Sequence, residues 1–125
     1  MGKILVRPPP LPKSEIRDET LEIVDAALVR GVRTSIGLVE FGVLVSFKFG
    51  DEVYSQLFSL DKEMIGGSIG RILAAAGFTD TDELNEESVK RLRGLRVRVV
   101  NRGGRLFFYP LEVKGDVSTR AARKR

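Results

Sequence analysis

Four arginines cluster around one turn of the chain. Arg96 and Arg98 alternate with Leu95, Val97 and Val99, and Arg102 and Arg105 stand on either side of Gly103-Gly104. A period of two sends the leucine and valines to one face of a strand and the two arginines to the other. Guanidiniums gathered on one hairpin form a track for phosphate groups, because each is permanently charged and presents a planar fork of donors. The only carboxylate near them in the return strand is Glu112, so pairing them off would take distant partners.

Aromatic rings supply the second ingredient of single-strand binding, since bases stack on them at about 1–3 kcal/mol each. Phe41, Phe47 and Phe49 share one parity with Val43 and Val45 and read as core. Phe107 and Tyr109 share a parity with Leu111 and Val113, which turns Phe108 outward unless Pro110 introduces a bulge that resets the register. The stacking candidates are therefore Tyr54, Phe108 and Tyr109, each of them also fit for plain packing. A third feature is the stretch from Arg30 to Gly37, where Arg30, Arg33, Thr34 and Ser35 lie among glycines and read as a phosphate-equipped loop or sharply bent strand. Turn geometry accounts for Gly31 and Gly37 equally well.

Other chemistry is poorly served. The chain has neither cysteine nor histidine, which removes disulfides, zinc sites with thiolate or imidazole ligands, and the usual nucleophiles and general base near neutral pH. The run Ile65-Gly66-Gly67-Ser68-Ile69-Gly70-Arg71 lacks the Gly-Lys-Ser/Thr ending of a phosphate-binding loop. Asp80, Asp82, Glu83, Glu86 and Glu87 lack the spacing of a calcium loop and suit helix capping. No enzyme, cofactor or metal is expected.

Charge divides the chain unevenly. Residues 1–90 hold ten Lys/Arg against fifteen Asp/Glu, residues 91–125 hold eleven against two, and the whole carries +4. A basic block that dense favours a polyanion partner. Low Asn, Gln, Cys and Met beside 30% charged residues is a thermophile-like bias. No apolar run approaches the roughly 20 residues that span a bilayer, so no membrane partner is expected. The apolar stretch of Met1-Gly2-Lys3-Ile4-Leu5-Val6-Arg7 is too short for a signal peptide, and Val6 breaks the myristoylation pattern. The expected compartment is the cytoplasm.

The elements that must position these residues follow from the same periodicities. Strands are expected over 21–29, 41–49 and 53–60, with Gly50-Asp51 as a tight turn. Ile69, Ile72, Leu73 and Ala76 share one helical face, and Gly77 suits the position past its end. Asn85 can cap a second short helix that Gly94 would stop. A final hairpin runs from Leu95 through the turn Asn101-Arg102-Gly103-Gly104 to Val113, with Pro110 arguing for an edge strand or bulge. Residues 1–17, with Pro8, Pro9, Pro10 and Pro12, read as a Pro-rich N-terminal arm, 18–115 as one domain, and 116–125 as a basic flexible tail. Three strands, a helical segment and two strands predict a mainly β fold, a five-stranded OB-like barrel with the helix between strands three and four.

Gly70-Arg71-Ile72-Leu73-Ala74-Ala75-Ala76-Gly77-Phe78, then Leu92-Arg93-Gly94-Leu95-Arg96-Val97-Arg98-Val99, then the Gly103-Gly104 turn and its aromatic return strand carry a resemblance. The run from Leu21 to Val113 resembles small OB-fold single-stranded-DNA-binding proteins of phages and archaeal mobile elements. It departs from them in ending on a basic rather than an acidic tail. The expectation is binding of single-stranded DNA or RNA without strong sequence preference, through Arg30, Arg33, Arg96, Arg98, Arg102 and Arg105 and the rings of Tyr54, Phe108 and Tyr109. The rival is a protein-interaction or assembly module, viral or archaeal, whose basic hairpin meets an acidic partner. Homo-oligomerisation stays open in both.

Overall fold

Alternating apolar residues build five antiparallel strands, β1 (Asp18–Thr34), β2 (Gly37–Phe49), β3 (Glu52–Ser59), β4 (Arg96–Arg102) and β5 (Arg105–Pro110). A computed structural model describes residues 8–34, 37–60 and 67–111. The strands form one sheet in the order β3-β2-β1-β4-β5. Among the described residues one α-helix, α1 (Ser68–Ala75), falls between β3 and β4 in the chain. Thus the mainly β character, the strand count and the position of the helix agree with the expectation. The barrel does not: β3 and β5 end the sheet as its two edges, and no ladder joins them.

β1 is long because it serves two neighbours. Asp18 to Glu22 pair with β4, and the strand from Glu22 onward pairs with β2. Between Ile23 and Asp25 the register shifts, leaving Val24 as the extra residue of a bulge. The shift lets Leu21 and Ile23 before it and Ala26 after it all face the core. Beyond Ala26 the strand does not break. Arg30 to Thr34 pair with Gly37 to Phe41, so of the loop and the sharply bent strand expected there the segment is the strand, the far end of a long hairpin. Gly31 supplies the positive φ of 63° that bends it. Of that segment, Ser35 lies outside the described residues.

The core lies between the sheet and α1. Ile23, Val43, Val45, Phe47, Val97, Val99 and Phe108 meet Ile69, Ile72 and Leu73 there. Gly77, at φ 93°, ends the helix in a left-handed turn. The second helical segment is two short 3₁₀ turns, Thr81–Glu83 and Ser88–Leu92. Asn85 Oδ1 accepts from the N–H groups of Glu87 and Ser88 at 2.9 and 2.7 Å.

Residues expected as an N-terminal arm belong partly to this packing. Leu11 and Ile16 are buried in the same core. Ser55 on the outer edge of β3 donates its N–H to the Pro9 carbonyl, accepts from the Leu11 N–H, and donates its Oγ to the Pro8 carbonyl at 2.7 Å. Prolines lack an N–H, so this strap pairs with the edge without offering it a further template. The tail expected over 116–125 lies outside the described residues.

Candidate nucleic-acid interface

The turn between β4 and β5 decides which side chains reach the surface. Gly103 and Gly104 take φ 64° and 86°, a two-residue turn that pairs Arg102 with Arg105. Counting back from that pair, Val99 opposes Phe108. Val99 is fully buried, so Phe108 faces inward with it. Its ring lies 5.5 Å from that of Phe47 and 5.1 Å from that of Phe58. Phe108 is therefore core, not the outward stacking ring implied by the parity of Phe107 and Tyr109 with Leu111 and Val113, and Phe107 and Tyr109 take the half-buried outer positions.

Where β3 and β5 fail to pair, a cleft of about 560 Å³ opens. Its walls are 56–59 of β3, 67–69 and Arg71 at the start of α1, and Arg102 with 105–109. Among the described residues, three arginines line it and no carboxylate does. Rings, not acids, hold those guanidiniums: Arg102 and Arg105 lie 5.6 and 5.9 Å from the centre of Phe107, and Arg71 lies 4.5 Å from that of Tyr109. A ring steadies a cation without neutralising it, and leaves in-plane donors for an anion. Arg71 Nε also donates to the Phe108 carbonyl at 3.0 Å, and the Phe108 N–H donates to Ser68 Oγ at 3.0 Å.

The remaining expected residues are scattered. Arg98 donates from Nε and Nη2 to the two carboxylate oxygens of Asp18, at 2.8 and 2.6 Å. That bidentate pair holds the Asp18 carboxyl below, and the Arg98 guanidinium above, its ordinary pKa. Arg98 thus has the distant partner that a free phosphate track would exclude. Arg96 is exposed on the same face, across from Glu22. Arg30 lies 4.4 Å from the centre of Phe41, whose carbonyl accepts from Leu60, the residue that follows the β3 wall of the cleft. Arg33 is exposed farther along the hairpin, opposite Leu38. Tyr54 packs on Phe49, with ring centres 6.1 Å apart, outside the cleft. Asn101 ties the turn down: its Oδ1 accepts from Gly104 and its Nδ2 donates to the Lys13 carbonyl.

Arg71 and Phe107 were not singled out from the sequence. Phe107 was within reach: with Val99 assigned inward and Gly103-Gly104 as a two-residue turn, the register turns Phe107 out. Arg71 is one polar residue on an amphipathic helix, a pattern that any exposed helix shows.

The acidic segment serves local structure. Asp80 Oδ1 accepts from the Asp82 N–H, and Glu83 accepts from both the N–H and the hydroxyl of Thr79, which lowers the Glu83 pKa. Among the described residues no helix is long and apolar enough to cross a membrane. No protein-family model, curated protein or solved structure matches the chain.

Proposed function

We propose that this protein binds single-stranded DNA or RNA in the cleft between β3 and β5, without strong sequence preference. The observation that carries the reading is the lining itself: Arg71, Arg102 and Arg105 gathered with Phe107 and Tyr109. Phosphates would meet Arg102 and Arg105, which flank the β4–β5 turn, while unpaired bases reach the half-buried rings. Duplex bases are stacked on each other and cannot do so. In this reading the protein acts by binding, and the residues that serve it are cations and rings.

The same reading accounts for the architecture. An OB fold is a partly open five-stranded barrel that binds oligonucleotides on its strand face and in the loops after strands one and four. We read this sheet as such a barrel opened between β3 and β5, with Ser68 and Arg71 of α1 bridging to the β5 edge.

A salt titration tests it. Anisotropy of a labelled oligo(dT) against a duplex of equal length should show tighter binding of the single strand. The two phosphates neutralised by Arg102 and Arg105 contribute ~1.4 to the log–log salt slope, at about 0.7 each. Equal or tighter duplex binding would overturn the reading in favour of plain polyanion attraction.

A further inference from the structure

We infer that Arg71 is the positioning residue of the cleft, holding Tyr109 as the ring on which one base stacks; the inference rests on the single-strand reading above. The Phe108 peptide sits on the open edge of β5, where its N–H and C=O find no neighbouring strand. Two side chains of α1 take the strand's place: Ser68 Oγ accepts the N–H, and Arg71 Nε donates to the C=O. Arg71 Nη2 also donates to Ser68 Oγ at 3.2 Å, which locks the guanidinium plane to the helix start. With its edge so engaged, the same plane lies 4.5 Å from the centre of the next ring, Tyr109. One group therefore fixes both the strand edge and the adjoining ring, and no other residue among those described does both.

Lysine cannot replace it. An ammonium keeps the charge, but it cannot donate along the β5 edge and lie flat against a ring at once. Charge and positioning are thus separable by one substitution.

The chain supplies its own reporter. It contains two tyrosines and no tryptophan, so Tyr54→Phe leaves Tyr109 as the only tyrosine. In that background, oligo(dT) should quench the emission. Adding Arg71→Lys should leave the salt slope unchanged, abolish most of the quench and weaken binding about tenfold, the loss of one stacked base. Without oligonucleotide, Arg71→Lys should raise quenching of Tyr109 by acrylamide. Ser68→Ala loosens the same edge and removes the Nη2 bond, but it leaves the Nε bond to the Phe108 carbonyl that seats the guanidinium on the ring. It should therefore lower the melting temperature and keep most of the oligo(dT) quench. The inference is overturned if Arg71→Lys keeps the full quench, or if Ser68→Ala loses as much of it. If the parent binds no oligonucleotide, the single-strand reading falls, and the platform with it. An acrylamide difference would then still show that Arg71 holds Tyr109, and an unchanged one would remove that too.

Discussion

Arg98 and Arg102 stand on the same strand, and the sequence treats them alike, yet they belong to different regions. At the start of β4, Arg98 is clamped by both oxygens of Asp18. At its end, Arg102 rests near the Phe107 ring beside a cleft that no carboxylate lines among the described residues. The first arginine has its charge answered and its fork occupied. The second keeps both, and only such a cation can release counterions from a phosphate chain. What a side chain can bind is set by the company it keeps, and the two ends of β4 keep different company because β1 pairs with the sheet there only up to its own first residue, Asp18.

The contrast can be broken in several ways, beginning with the core beneath the cleft. Phe108→Ala removes a fully buried ring stacked on Phe47 and set edge-to-face against Phe58. It should cost about 3–5 kcal/mol of stability in denaturant titration. A loss below about 1 kcal/mol would return Phe108 to the surface and restore it as a stacking ring.

Next come the two kinds of arginine. Arg102→Ala with Arg105→Ala should flatten the salt slope for oligo(dT) by ~1.4, at about 0.7 per phosphate. Arg98→Ala should leave it unchanged, because the guanidinium is already paired. A slope that falls as much for Arg98→Ala would erase the distinction between the regions.

Asp18→Asn sharpens the same point from the other side. It frees Arg98 without adding a cation, and the slope should rise by up to ~0.7 if strand passes along β4. The smallest effect is that of pH. The folded Asp18 has a lowered pKa, so its pair with Arg98 stabilises at pH values above the ordinary carboxylate pKa and is lost as pH falls through the lowered one. Thermal melts should therefore show slightly steeper acid destabilisation in the parent than in Asp18→Asn, with no difference in trend near neutral pH. Identical acid profiles would mean that the pair adds nothing to stability, as exposed pairs often do not.

Much of the fold could be read directly. Leu95, Val97 and Val99 announced the inner face of β4, Phe47 and its neighbours that of β2, and Gly77 the end of the helix. Those signals are periodic and local, and burial of an alternating face is all they require. The stretch from Arg30 to Gly37 left loop and bent strand both open, because glycines that bend a strand look like glycines that end one.

The amino-acid sequence by itself determined the five strands, the helix after the third, the tight turns at Gly50-Asp51 and Gly103-Gly104, and a basic hairpin rich in rings. Only the tertiary structure decided which arginines stay unneutralised. Asp18 and Arg98 are separated by 80 residues and meet through the pairing of β1 with β4. Arg71 and Tyr109 meet because α1 packs along an edge that no strand covers. Leu11 and Ile16 are core because a proline strap finds Ser55. Periodicity records which face of an element is apolar. It carries no record of which distant element will lie beside it, and the charge left over at each arginine depends on that neighbour alone.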